Sequence, residues 1–97
     1  MTLDEMKTIF DDAHDEFLHF ERVATILSTR PDLHAFMRLD KLCHGEANIV
    51  SDAHHDEFYL SIDPSKLATV ASKDDIIELI RCGVRYDDEW DTLAMFT

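Results

Sequence analysis

Apolar side chains at Leu3, Met6, Phe10, Ala13, Phe17, Phe20, Ala24 and Leu27 recur at steps of three and four residues, the spacing that places them on one face of a helix. Thr2 and Glu5 stand at capping-box spacing in front of this run, so each side chain can satisfy the other's unpaired backbone N–H. The pattern predicts a helix from about Leu3 to Ser28, with Asp4, Asp11 and Asp15 nearly in line on the opposite face and Asp12 beside them. Pro31 suits the first turn of a second helix and Gly45 its end. Leu33, Phe36, Met37 and Leu42 or Cys43 form its apolar face, and the change of direction near Thr29-Arg30-Pro31 predicts an antiparallel helical pair.

The period then changes to two. Phe58, Leu60 and Ile62 alternate with Tyr59, Ser61 and Asp63, which predicts a half-buried strand. Ile49 and Val50 mark a weaker strand before it, with a turn near Ala53-His54-His55-Asp56. Asp63-Pro64 reads as a cap plus a first helical residue, opening a short helix through Leu67, Val70 and Ala71. Ser72 and Asp75 cap a further helix that carries Ile76, Ile77, Leu79 and Ile80 and stops at Gly83. Val84-Arg85-Tyr86 pairs with Trp90 to Phe96 across Asp87-Asp88-Glu89. The order ααββααββ predicts an α+β fold, a small antiparallel sheet packed with about four helices.

The 97 residues suffice for one domain, residues 1–97, and a hydrophobic fraction of 45% supports a packed core. No apolar run approaches the roughly 20 residues that span a bilayer, and the acidic opening Met1-Thr2-Leu3-Asp4-Glu5-Met6 lacks the basic start of a secretory signal. These features predict a cytoplasmic protein that does not engage membranes. Cys43 and Cys82 form no CxxC motif and are expected to be reduced thiols, at least partly buried.

Charge changes the picture most. There are 21 Asp and Glu against 9 Lys and Arg, a net charge of −12. Solubility needs a magnitude of only about 2–8 in a small domain, and the excess destabilises the compact state through self-repulsion. It falls in blocks: −6 over residues 1–21, −5 over 46–63 and −4 over 87–97, whereas residues 22–45 carry +2 and 64–86 carry +1. Asp4, Asp11, Asp12, Asp15 and Glu16 of the first helix, Asp56 and Glu57 of the middle turn, and Asp87, Asp88 and Glu89 of the last turn are the expected partner-binding acids.

Other chemistry is poorly supported by the sequence. The doublets His14-Asp15 and His55-Asp56 are like those of metal-dependent phosphohydrolases, but that family builds its site on a larger helical bundle with further ligands. Adjacent residues such as His54-His55-Asp56-Glu57 seldom converge on one ion, so they are read as solvated loop residues. Cys43 and His44 are neighbours on a helix, about 100° apart, and do not face each other as nucleophile and base. With glycine only at 45 and 83, neither a phosphate-binding loop nor a dinucleotide fingerprint can be built. The chain is therefore expected to have no catalytic residues, no metal and no cofactor. Phe10, Phe17 and Phe20 are read as core, whereas Tyr86 and Trp90 flank the acidic turn Asp87-Asp88-Glu89, where an aromatic residue suits either an interface or a cross-strand pair.

A surface this negative repels nucleic acid and suits a basic protein groove. Carboxylates several Å apart on a rigid scaffold can occupy the Lys and Arg that otherwise meet DNA phosphates, with fast, salt-sensitive association. In its length, in Met1-Thr2-Leu3-Asp4-Glu5-Met6-Lys7 and in Asp74-Asp75-Ile76-Ile77-Glu78-Leu79-Ile80-Arg81-Cys82-Gly83-Val84-Arg85-Tyr86-Asp87, the chain resembles phage- or prophage-encoded anti-CRISPR proteins of the acidic, DNA-mimicking kind that act on type I-F surveillance complexes. The resemblance implies an inhibitor without catalytic residues, working inside a bacterial host cell. Such a protein sits where target duplex DNA would enter and contacts basic residues of the large subunit and an adjacent backbone subunit. The family has no diagnostic motif, so the acids named above come from charge alone, and the chain is expected to act as a monomer. An acidic adaptor or inhibitor of another basic protein (a nuclease, toxin or repressor) is the alternative. A small metal-dependent hydrolase around His54, His55 and Asp56 is a third reading, and predicts divalent-metal binding lost on His55→Ala.

Overall fold

The computed structural model describes residues 1–45 and 48–96. Glu46, which counts in the middle acidic block, lies outside the described residues. The chain is α+β. Helix α1 spans Leu3–Asp12, followed by two single 3-10 turns at His14–Glu16 and Phe20–Arg22, helix α2 at Pro31–Leu42, strands β1 at Val50–His54 and β2 at Glu57–Leu60, helices α3 at Pro64–Val70 and α4 at Lys73–Arg81, and strands β3 at Arg85–Asp87 and β4 at Thr92–Phe96. The four strands form one antiparallel sheet in the order β1-β2-β4-β3.

The helix starts follow from local chemistry. Glu5 N–H donates to Thr2 Oγ1 at 3.1 Å and Thr2 N–H to Glu5 Oε1 at 2.9 Å. Ser72 and Asp75 make the same reciprocal pair in front of α4, and the Asp63 side chain caps α3 ahead of Pro64. Helix α4 closes in a Schellman motif: Gly83 N–H donates to Ile80 O and Val84 N–H to Leu79 O, each at 3.0 Å. Gly83 takes a φ of +97°, and a Cβ there would stand 2.7 Å from Leu18 Cδ2.

The first helix is shorter than its apolar stripe predicts. It stops at Asp12, because the next residues would extend like charges four apart, Asp11 with Asp15 and Asp12 with Glu16, at the negative end of the helix dipole with no base in the last turn. His14 Nδ1 donates to the Asp11 carbonyl at 2.8 Å. Leu18 turns into the left-handed region at φ 63°, and its N–H leaves the helical ladder for Ile80 O at 3.2 Å. Ala13, Phe17 and Phe20 still pack against the core, carried there by the turns. Nor do the first two helices form an antiparallel pair. Helix α1 packs on α4, α3 and β3, and α2 is tied to α4 through His34–Glu78, Arg38–Asp75 and Arg38–Glu78 at 2.8–2.9 Å.

The core joins Met6 and Phe10 of α1, Ala35 and Leu39 of α2, Leu67 and Ala68 of α3, and Ile76, Leu79 and Ile80 of α4 to Leu60, Leu93 and Met95 of the sheet. Strand alternation sends Tyr59 and Ala94 to the opposite face.

Candidate partner-binding surface

Four of the five arginines, Arg22, Arg38, Arg81 and Arg85, pair with the chain's own acids. Arg22 and Arg81 both donate to Glu16, at 3.0 and 2.9 Å. Arg38 holds Asp75 and Glu78, and Arg85 holds Glu57 and Asp87. Of the ten acids expected at the partner surface, Glu16, Glu57 and Asp87 are thus neutralised internally. The hydrogen bonds from Arg81, then Arg22, keep the Glu16 carboxyl below the usual glutamate range. Asp87 also builds its turn, accepting the N–H groups of Glu89 and Trp90 at 2.9 and 3.0 Å.

The other seven, Asp4, Asp11, Asp12, Asp15, Asp56, Asp88 and Glu89, are exposed. Among the described residues none of them forms an ion pair. Folding brings two of the three acidic blocks together at Lys7. Its ammonium lies 3.5 Å from Asp91 and 5.0 Å from the centre of the Tyr86 ring, and Phe10 packs on Tyr86 at 6.2 Å between ring centres. Partial burial opposes the charge on Lys7, but Tyr86, Asp91 and Asp88 outweigh it and hold its pKa above the ordinary lysine value. Asp4 and Asp11 flank Lys7 on the same helical face, three residues before and four after. Asp88 and Asp91 of the last acidic block therefore act on Lys7 where α1 meets the β3–β4 turn, beside the helical face that carries Asp4 and Asp11.

The remaining candidates do not join this group. Asp12 lies toward Glu5 and Lys73, lining a shallow surface depression with Met1, Thr8 and Ile9. Asp15 falls on the first 3-10 turn, beyond the end of α1. Asp56 sits in the β1–β2 turn, next to the Phe96 end of β4, whereas the β3–β4 turn adjoins its Thr92 end. The two turns thus occupy opposite ends of the sheet. Asp91 was absent from the expected set although it reaches both Lys7 and Tyr86. Its only signal in the sequence is its place in the last acidic block.

The histidines are mostly held by nearby acids: His54 by Asp52 at 2.9 Å, His44 by Asp40 at 2.7 Å and His19 by Glu21 at 2.8 Å. Among the described residues no group of three or more His, Cys, Asp or Glu side chains is placed to hold one metal ion. His44 turns to Asp40 and makes no bond to Cys43. Burial, and then the charge of Glu78, push the Cys82 thiol up to about 12, so it remains protonated at neutral pH. No helix among the described residues is long and apolar enough to cross a membrane. Comparison of the chain with protein-family models, curated proteins and solved structures gives no significant match.

Proposed function

We propose that this chain is an anti-CRISPR inhibitor. It presents a surface that stands in for double-stranded DNA and blocks target-DNA binding by a type I-F surveillance complex. The observation that carries this reading is that folding sets the α1 face bearing Asp4 and Asp11 beside Asp88 and Asp91 of a distant acidic block, while four of the five arginines are engaged by the chain's own acids. Charge density supports it. The longest dimension of the molecule is 28 Å, a length over which duplex DNA spans about eight base pairs and carries on the order of 16 phosphate charges. The chain carries −12 in that space. It acts by occupancy rather than catalysis, meeting basic side chains of the large subunit and the adjacent backbone subunit.

Gel-shift competition tests the proposal. Purified protein, added before target DNA, is expected to abolish DNA binding by the type I-F complex. The double variant Asp11→Lys with Asp88→Lys is expected to weaken inhibition by about tenfold to a hundredfold, because two attractive contacts become repulsive. Its circular dichroism should be unchanged: Asp88 lies in an exposed turn, and a lysine at position 11 suits the C-terminal end of α1. Undiminished DNA binding in the presence of the wild-type protein would reject this partner. Binding to the complex without competition against DNA would replace mimicry with the adaptor reading.

A further inference from the structure

The helices cover one face of the sheet. On the other, strand alternation aligns Asp52 and His54 of β1, Glu57 and Tyr59 of β2, Thr92, Ala94 and Phe96 of β4, and Arg85 and Asp87 of β3. At the β1 side of this face Ser51, Asp52, His54, Tyr59, Trp90 and Thr92 line an open cleft of about 360 Å³. Tyr59 forms a buried wall. Trp90 leans over it with 63% of its surface exposed and a ring-centre distance of 6.5 Å. His54 meets Tyr59 edge-on at 6.2 Å.

The cleft is negative. The Ala53 N–H, then His54, hold the Asp52 carboxyl below its usual range. Burial, and then the charges of Asp87, Glu89 and Asp52, raise the pKa of Tyr59, which remains a phenol and donates to Glu57 at 2.5 Å. Among the described residues, two other aromatic rings beside carboxylates each hold one of the chain's own cations. Lys7 lies over Tyr86 beside Asp91. Arg85 lies 4.6 Å from the centre of Phe96, paired with Glu57 and Asp87. Among the described residues no lysine or arginine pairs with Asp52 or stacks on Trp90.

We infer that the cleft between Tyr59 and Trp90 receives an arginine side chain of a basic protein partner, its guanidinium flat against Trp90 and its N–H groups directed at Asp52. This deepens the proposed function and rests on its reading of the chain as a binder of basic protein. Charge complementarity selects the occupant. A nucleobase could stack on Trp90, but its phosphate would meet the Asp52 carboxylate that lines the cleft, with Glu89 nearby on the β3–β4 turn. A guanidinium combines a planar stacking surface with a fixed fork of donors, whereas a lysine ammonium offers a compact, strongly hydrated point charge. The exposed tryptophan thereby gains the cover it lacks in the isolated chain.

Trp90 is the only tryptophan, so its indole N–H resonance and its fluorescence report on the cleft alone. The intact protein is titrated with the blocked tripeptide Gly-Arg-Gly, with its lysine counterpart, and with its citrulline counterpart, which keeps the shape and lacks the charge. The arginine peptide is expected to shift the Trp90 signals saturably, with Kd in about the millimolar range for a single exposed contact. The lysine peptide should bind more weakly and the citrulline peptide should leave the signals unmoved. Asp52→Asn, which keeps the side-chain shape, should weaken arginine binding by about five- to tenfold. No saturable shift with arginine, or an equal response to citrulline or lysine, would overturn the assignment. The titration contains no CRISPR complex. A saturable arginine response therefore stands even if DNA binding by that complex proves unaffected, and blocked DNA binding with a silent Trp90 would reject the cleft alone.

Discussion

His34 shows how one residue can tie distant parts of the chain together. Its side chain is fully buried. Nδ1 accepts the Leu27 N–H at 3.1 Å, which leaves the ring proton on Nε2, where it donates to Glu78 at 2.9 Å. Phe20 packs edge-on against the same ring at 5.6 Å. One imidazole thus fastens the loop before α2, the helix itself and α4. His34→Ala would open a cavity and leave the Leu27 N–H without its partner, a loss of about 2–4 kcal/mol. Urea unfolding followed by circular dichroism measures it. A loss within about 0.5 kcal/mol, the range of ordinary surface changes, would show that the network contributes little. The sequence marks the position only as one histidine on a partly apolar helix; its two partners lie 7 and 44 residues away.

At the scale of elements, the instructive case is the end of α1. Local periodicity favours continuing the helix to Ser28, but Glu16 makes two charge-assisted contacts, with Arg22 and Arg81, only after the chain turns. Because its pKa is lowered in the folded state, the stabilisation from Glu16 is fully present above the ordinary glutamate value of about 4.3 and fades as pH falls through the lower folded value. Glu16→Gln removes that dependence. The variant is expected to be less stable than the parent at neutral pH, with the two stability curves converging as pH falls below about 4. Thermal unfolding at a series of pH values gives both curves, and a constant gap between them down to acid pH would assign the loss to packing instead.

The whole molecule balances core burial against its own charge. Exposed acids repel one another across distances comparable with the Debye length, which shrinks from about 30 Å at 0.01 M salt to about 8 Å at 0.15 M. Added sodium chloride is therefore expected to raise Tm of the isolated chain, by about 4–8 °C for each kcal/mol of repulsion removed. The same salt should weaken association with a basic partner. Opposite responses of folding and binding to one variable are the signature of a surface whose charge serves recognition at the expense of stability. A Tm independent of salt would mean that the internal ion pairs already compensate the excess.

The sequence by itself determined the class of the fold, the starts of α1, α3 and α4, the hairpins and the acidic character of the exposed loops. Caps, tight turns and two-residue alternation depend on neighbours a few positions apart, so Thr2 with Glu5, Ser72 with Asp75, and Asp63 with Pro64 carry their meaning locally. Tertiary structure alone decided where α1 ends, which helices touch, the strand order β1-β2-β4-β3, and which acids keep their charge toward solvent. Each of these depends on contacts between residues far apart in the chain, such as Leu18 with Ile80, Glu16 with Arg81, Glu57 with Arg85 and Lys7 with Asp91. Composition counts the carboxylates; only the packed chain assigns each one a cation or leaves it facing solvent.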